Sequence, residues 1–90
     1  MYAMVGRSTI HDAEQARKFL KDVAIPRISQ LPGFVSGQWV RLDENTGSSM
    51  ITFETEEGAQ AAAENLRANP PPADAVTINT IEVGEVFERV

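Results

Sequence analysis

The sequence predicts an α+β domain with the element order β-α-β-β-α-β. Two observations support this order. Apolar residues recur with strand spacing in four segments and with helix spacing in two. Gly, Pro, Asn and Asp cluster at the junctions between these segments, where turns are expected. The 90 residues suffice for one domain, residues 1–90, and a domain this small gains stability from a partner subunit.

The first strand and helix are predicted from residues 2–31. Residues 2–8, YAMVGRS, have a strand pattern, and Asp12 with Gln15 three residues later forms a helix-start signal. Pro26 interrupts the helix, because it lacks an N–H group, and should kink the last turns or separate a short second helix. The apolar residues at helical spacing are Ala13, Ala16, Leu20, Val23, Ala24, Ile28 and Leu31.

The middle of the chain predicts a β-hairpin. Pro32 and Gly33 end the helical segment, and residues 34–42 follow as a second strand. Residues 43–47, DENTG, are rich in turn formers, and a strand pattern resumes over residues 48–54. Two strands joined by a short turn-forming loop are expected to pair antiparallel.

The last third predicts a helix and a strand. Thr55 is a helix N-cap, and Asn69 with the prolines at 70–72 ends that helix. Residues 76–87 alternate and are rich in β-branched side chains, as strands are. The resulting fold is ferredoxin-like, a four-stranded antiparallel sheet with both helices on one face. The inner face of the second helix is expected to be Ala59, Ala62, Ala63 and Leu66.

The strands are apolar on both faces. In the second strand, Phe34 and Val40 alternate with Val35 and Trp39. Helices cover only one face of a sheet, and a second large apolar face is unusual in a soluble monomer. We therefore predict a homodimer formed through the sheet faces, by the common twofold arrangement. In the last strand the expected faces are Ile78 and Val86 against Ile81, Val83 and Phe87.

Composition excludes several classes of function. The net charge is −5, and residues 43–90 contain ten Asp or Glu against two Lys or Arg, so nucleic acid is a poor partner. No apolar run is long enough to span a membrane, and the opening residues resemble a strand rather than a signal peptide. Cysteine is absent, which excludes thiol chemistry, and a single histidine disfavours a zinc site. These features predict a cytoplasmic protein without a metal.

A family resemblance follows from residues 32–59. Pro32-Gly33-Phe34 enters the second strand, Trp39 comes later in it, and an acidic hairpin follows. A strand ending Phe53-Glu54 then leads into the helix opening at residues 55–59, TEEGA. Together with the topology, these features resemble the dimeric α+β barrel superfamily, and within it the antibiotic-biosynthesis-monooxygenase (ABM)-like group.

The resemblance implies a dimer and a ligand cleft. Its members place two ferredoxin-like sheets face to face to form a barrel, and each subunit can keep a cleft between its sheet and its helices. It further implies a cofactor-independent monooxygenase or a binder of a small aromatic or hydrophobic molecule, with no bound cofactor. The alternative is a non-catalytic dimeric module with a binding or stress-related role. Haem is disfavoured, because His11 does not lie on a helix face as the histidine of haem-degrading members does.

The candidate ligand-binding residues each have a structural alternative. Trp39 is either a stacking surface for a planar ligand or, the interpretation we favour, packing between the two sheets. Arg7 and Arg41 are either anion-binding donors or, as we favour, partners of strand acids such as Glu54, Glu82 and Glu85. His11 is a candidate base at a strand–helix corner. The complete set of candidates is Trp39, Arg7, Arg41, Asn79, Tyr2 and His11.

Overall fold

The computed structural model describes residues 1–90 and confirms the predicted ferredoxin-like order. The antiparallel sheet has the strand order β2-β3-β1-β4. The helices are α1, α2 and α3, with a π-helical segment joining the first two. None of these helices is long and apolar enough to cross a membrane. The bounds are β1 (Tyr2–Ile10), α1 (Ala13–Phe19), the π-helical segment (Leu20–Ala24), α2 (Ile25–Ile28), β2 (Phe34–Arg41), β3 (Thr46–Phe53), α3 (Glu56–Ala68) and β4 (Val76–Glu85).

Side-chain caps fix the start of both major helices, as predicted. The carboxylate of Asp12 accepts a hydrogen bond from the main-chain N–H of Gln15 at 3.0 Å. The hydroxyl of Thr55 accepts one from the N–H of Gly58, also at 3.0 Å. Each bond satisfies a main-chain donor that the first turn of a helix leaves free.

Pro26 divides the first helical region, as predicted. The main-chain N–H of Ile25 donates to the carbonyl of Leu20, five residues earlier, and this bond defines the π-helical segment. Pro26 follows within the first turn of α2, where a missing N–H costs little. The helix therefore changes its hydrogen-bond spacing immediately before the proline.

The hydrophobic core lies between α3 and the centre of the sheet. Met4, Ile51 and Phe53 are its largest fully buried side chains. Phe34 packs edge-on against Phe53, with ring centroids 6.1 Å apart. Small residues allow α3 to approach β1, β3 and β4 closely, and its buried face is Ala59, Ala62 and Ala63, as predicted. Leu66, the fourth residue predicted for this face, packs against the core but is only partly buried.

Two register shifts change the faces that simple alternation predicted. Phe34 pairs with Phe53 while Ser36 pairs with Thr52, so β2 has one extra residue against β3. A bulge of this kind reverses the alternation at that point. Phe34 consequently lies on the helix-covered face together with Trp39, and our assignment of these two residues to opposite faces was wrong.

The second shift lies in β4. Arg7 pairs with Thr80 and Ser8 pairs with Ile78, which leaves Asn79 as the extra residue. Ile78 therefore shares the helix-covered face with Ile81, contrary to the alternation we assumed. Both bulges turn an apolar side chain toward the helices.

The uncovered face of the sheet is consequently less apolar than predicted. Its apolar side chains at the centre are Val5, Val40 and Met50, and the register places Met50 beside Val5. Val40 is 48% exposed and Met50 is 50% exposed. We call this patch the open face; most of its other side chains are serine and threonine.

Candidate functional site

A cavity of about 220 Å³ lies between the sheet and the first helical region. It adjoins the core at Ile51 and extends toward the other end of the sheet. The strand segments beneath it are the second half of β1, the first half of β3, the end of β2 and the start of β4. This volume is below the ~300 Å³ at which drug-sized ligand pockets begin, so it suits a small ligand.

Small residues on the sheet form the floor of the cavity. Gly6 and Gly47 lie there beside Ser8 and Ser49. A Cβ atom added at Gly47 would be 2.7 Å from Ser8 Oγ, and one added at Gly6 would be 2.9 Å from Ser49 Oγ. Real Cβ atoms do not approach so closely, so the two glycines let the serine hydroxyls lie against the neighbouring strands.

The first helical region forms the roof. Phe19, Leu20, Ala24 and Ile28 line the cavity from α1, the π-helical segment and α2. The main chain of this region stands farther from the sheet than that of α3. The hypothesis that a helix interrupted by Pro26 leaves space above the sheet is consistent with this arrangement.

Trp39 lies inside the helix-covered layer and lines the cavity. It pairs with Ser49 across the β2–β3 ladder and packs against the edge of the core. Gly37 makes room for the indole, because a Cβ atom there would be only 3.1 Å from Trp39 Cη2. Our preferred interpretation, packing between two sheets, was therefore wrong: the indole is on the other face and is half-buried beside open space.

The two candidate arginines differ in their relation to the cavity. Arg41 shares the face of Trp39, and its guanidinium donates to the carbonyl of Glu44 at 2.9 Å. Arg7 alternates with Gly6 and Ser8, which places its side chain on the open face and its main chain at the cavity. Neither arginine faces an acid across a ladder, since Arg7 pairs with Ser48 and Thr80 and Arg41 pairs with Gly47. The predicted cross-strand ion pairs do not form.

Arg17 is a cavity residue that sequence reasoning missed. It lines the cavity from α1 together with Ala13, Ala16 and Leu20. Arg17 is four residues after Ala13 and three before Leu20, which places these three side chains on one side of the helix. That spacing was visible in the sequence, but an exposed arginine on a helix gives no signal of its own until the sheet beneath it is known to be hollow.

The other three candidates lie away from the cavity. Tyr2 packs against the core at the far end of β1. His11 is exposed, and its Nε2 is 2.7 Å from the hydroxyl of Thr77. Asn79, the bulged residue of β4, accepts a hydrogen bond from the hydroxyl of Thr9 at 3.0 Å and borders a second, more open depression beside Arg67, which shares Leu66 and Ile78 with the cavity. The structure does not bring these side chains together with Trp39.

The ionisable side chains on the cavity side of the sheet are both arginines. Arg17 and Arg41 contribute them, Arg7 lines the cavity through its main chain, and no acid is in the lining, although the chain contains 13 acids and only eight Lys or Arg. The side-chain hydrogen bonds of the chain leave the hydroxyls of Ser8 and Ser49 and the indole N–H of Trp39 without a protein partner. Three residues with free hydrogen-bond donors therefore line an otherwise mostly apolar space.

The one carboxyl group with a clearly shifted pKa lies in the hairpin. Asp43 accepts a hydrogen bond from the main-chain N–H of Asn45 at 2.8 Å. This bond, with a smaller contribution from Thr46, lowers the pKa of Asp43 below its ordinary value of 3.8. The shift belongs to the loop that positions the ends of β2 and β3. No group of three or more His, Asp or Glu side chains is arranged to hold a metal ion.

Solved structures with the same fold cover nearly the whole chain. SnoaB, a cofactor-independent oxygenase from Streptomyces nogalater, superposes with a TM-score of 0.67 at 16% identity, over 99% of this chain and 95% of its own. A dimeric ferredoxin-like protein from an uncultured marine organism superposes with a TM-score of 0.61 at 14% identity, over 100% and 98%. The chain has the ABM-like fold. The resemblance predicted from the sequence is confirmed at this level.

The ABM-like fold supports more than one chemistry. MhuD, a heme-degrader from Mycobacterium tuberculosis solved with two hemes bound in its active site, superposes with a TM-score of 0.61 at 18% identity, over 100% of this chain and 99% of its own. No protein-family model matches the sequence, and no curated protein does. Similarity at this level of identity establishes the fold, and function has to be argued from the cavity.

Proposed function

We propose that the protein is a homodimer that binds a small aromatic molecule in the cavity beside Trp39 and oxidises it with molecular oxygen, without a bound cofactor. The observation that supports this proposal is the cavity itself, with Trp39 as an aromatic wall, an apolar roof and two serines on its floor. Sites for small organic molecules generally combine apolar walls with a few polar groups that fix orientation.

Trp39 and the floor have complementary roles in this proposal. The indole offers an aromatic surface for ring contact, worth about 0.5–1.5 kcal/mol beyond buried area. The hydroxyls of Ser8 and Ser49 can donate to ligand oxygens and so fix the orientation of the ring. The apolar roof, including Phe19 and Leu20, excludes water from the bound ring.

The reaction requires no external reductant. In the conversion of anthrone to anthraquinone, for example, one oxygen atom of O₂ becomes the new carbonyl and the other leaves as water. The two C–H hydrogens of the substrate and their electrons supply that reduction. The protein binds the oxidisable ring, orients it and keeps bulk water away. SnoaB, which has the same fold, is described as a cofactor-independent oxygenase.

Dimerisation through the open face is part of the proposal. Val40 and Met50 are about half exposed, and Phe87, just after β4, is 96% exposed. A second copy on the open face would bury the first two, and the end of the chain could reach the partner. We expect Met50→Glu to shift sedimentation from dimer to monomer, whereas Gln60→Glu on the outer side of α3 should leave the dimer intact. A monomeric wild-type protein would contradict this part of the proposal.

A non-catalytic binding module is the second candidate. The small volume of the cavity favours it, because a site of about 220 Å³ leaves limited room for both a ring system and O₂. This function predicts saturable ligand binding without oxygen consumption.

One experiment tests the proposed function and separates the two candidates. Trp39 fluorescence is titrated with 1,4-naphthoquinone, anthrone and haem, with free N-acetyl-tryptophanamide as the control for light absorption by the ligand. Binding is expected to be saturable for the quinone or anthrone and to disappear in Ala24→Leu, which fills the cavity and retains Trp39. Oxygen uptake with anthrone then indicates the oxygenase, and its absence the binding module. Equal quenching in wild type and Ala24→Leu would overturn both.

A further inference from the structure

We infer that the cavity selects the anionic form of its ligand, with Arg17 and Arg41 recognising the charge. This inference rests on the proposed function and specifies its ligand: a small aromatic compound bearing an ionised hydroxyl or carboxyl group. The ligand loses its proton in solution, before it binds.

The distribution of charge around the cavity supports this inference. Arg17 contributes from α1 and Arg41 from β2, whereas Arg7 of β1 contributes main chain and directs its guanidinium to the open face. The π-helical segment, α2, β3 and β4 contribute apolar residues, glycine and serine, as do Leu66 of α3 and Pro71. The chain as a whole has a net charge of −5, so this concentration of positive charge is local.

Hydrogen-bond donors that have no protein acceptor also support this inference. Ser8, Ser49 and Trp39 line the cavity, and the two hydroxyls and the indole N–H bond to no other protein group. An oxyanion can accept several hydrogen bonds at once, and such charge-assisted bonds are about twice as strong as neutral ones. A neutral ether or carbonyl gains less from the same donors.

Because the charged residues are arginines, the ligand has to lose its proton before it binds. The guanidinium group stays protonated throughout the working pH range, so it can bind an anionic ligand but cannot act as a base that deprotonates a neutral one. His11 is exposed and is engaged with Thr77 outside the cavity. The affinity for a weakly acidic ligand should therefore rise with pH according to the pKa of that ligand.

Arg17 is the cleaner of the two arginines to test. It takes part in no side-chain hydrogen bond, whereas Arg41 also binds the hairpin through the carbonyl of Glu44. Arg27 on α2 provides a matched control, because it is exposed in the same helical region and does not line the cavity. Arg17→Lys keeps the charge, and Arg17→Gln removes it.

The experiment measures the Kd of two probes by equilibrium dialysis. The probes are 2-hydroxy-1,4-naphthoquinone, which is ionised at neutral pH, and its neutral methyl ether, 2-methoxy-1,4-naphthoquinone. We expect the anion to bind about tenfold more tightly at pH 7 and low salt, and this preference to shrink at high salt. Arg17→Gln should reduce the preference at least about threefold, whereas Arg17→Lys and Arg27→Gln retain most of it.

The outcomes separate the inference from the proposed function. Equal or tighter binding of the methyl ether would overturn charge selection and leave aromatic binding intact. A preference that Arg17→Gln and Arg41→Gln together leave unchanged would overturn the assignment to these arginines. If neither probe distinguishes wild type from Ala24→Leu, the proposed function fails and the inference fails with it. If the affinity for a naphthol does not rise as its ionised fraction rises with pH, the claim that the ligand loses its proton before binding is overturned.

Discussion

The two ends of the helix–sheet interior are built in opposite ways. At the α3 end, alanines let a regular helix approach the sheet, and Phe53 and Met4 fill the space completely. At the α1 end, the small residues are on the sheet instead, and the helix above them is divided by its π-helical segment. One end is consequently sealed and the other contains the cavity.

The comparison shows that small residues do not by themselves produce a cavity. Alanine at positions 59 and 63 lets α3 move inward until the gap closes. Gly6 and Gly47 lower the sheet surface under α1, but the roof does not follow. Space remains where small residues coincide with a helix that cannot approach, since a regular helix would otherwise pack down to normal interior density.

Added volume at the sealed end should give the largest effect. Ala63 is fully buried, so Ala63→Leu is expected to lower the free energy of unfolding by about 1–3 kcal/mol through overpacking. Ala61→Leu, on the exposed side of the same helix, should change it by less than about 0.5 kcal/mol. Urea unfolding measures both. Equal stabilities would mean that the α3 end is not closely packed.

An alanine-to-leucine substitution at the cavity end should not destabilise the fold. Ala24→Leu places three more carbon atoms in existing space, at up to about 0.8 kcal/mol of stabilisation for each buried methylene. We expect stability to be unchanged or increased by up to about 2 kcal/mol, while aromatic affinity falls at least about tenfold. Urea unfolding and dialysis measure the two effects. Destabilisation as large as that of Ala63→Leu would remove the distinction between the two ends.

Restoring the missing donor at Pro26 should change the roof of the cavity. In Pro26→Ala, residue 26 regains an N–H group and the π-helical segment can return to α-helical spacing, which would rotate the residues after it, including Ile28, by about 100°. The stability change should remain within about 1 kcal/mol, because loss of the proline also makes the unfolded chain more flexible. Ligand affinity should fall while helical circular dichroism increases slightly. Unchanged affinity would show that Pro26 does not hold the roof open.

The hairpin should show the smallest effect, and one that depends on pH. The folded-state pKa of Asp43 is lowered, so its ionised form stabilises the fold above the ordinary value of 3.8, and this contribution disappears as pH falls through the folded value. Asp43→Ala should lower Tm by at most about 2 °C at pH 7 and leave it equal to wild type near pH 2. Thermal scans at both pH values check this. A Tm difference between the two proteins that persists near pH 2 would contradict the assignment of this stabilisation to the ionised carboxylate of Asp43.

Local signals were sufficient to predict the fold. The caps at Asp12 and Thr55, the break at Pro26 and the hairpin loop all act within a few residues of the chain, and each appears as expected. The face occupied by Trp39 depends instead on the pairing of β2 with β3, where one extra residue reverses the alternation. Nothing in the β2 sequence indicates that bulge.

The cavity could be predicted only in part. The sequence indicated Trp39 and Arg41 as candidates and placed the interruption of the first helix correctly. It could not indicate that Gly6, Gly47 and two serines meet beneath that helix, because they come from strands about 40 residues apart that the register aligns. The position of Arg17 at the cavity and that of His11 outside it both depend on this alignment.

The π-helical segment is equivalent to a one-residue insertion in an α-helix. Each residue turns an α-helix by about 100°, so everything after the insertion is rotated by that amount relative to an uninterrupted helix. Deleting one residue between 20 and 24 would therefore restore an ordinary α-helix and leave the side chain of Ile28 facing the cavity, whereas a regular helix that keeps every residue would turn Ile28 away by about 100°. Relatives that are one residue shorter here should have a regular helix over the same cavity, and relatives of equal length with a regular helix should have a different roof.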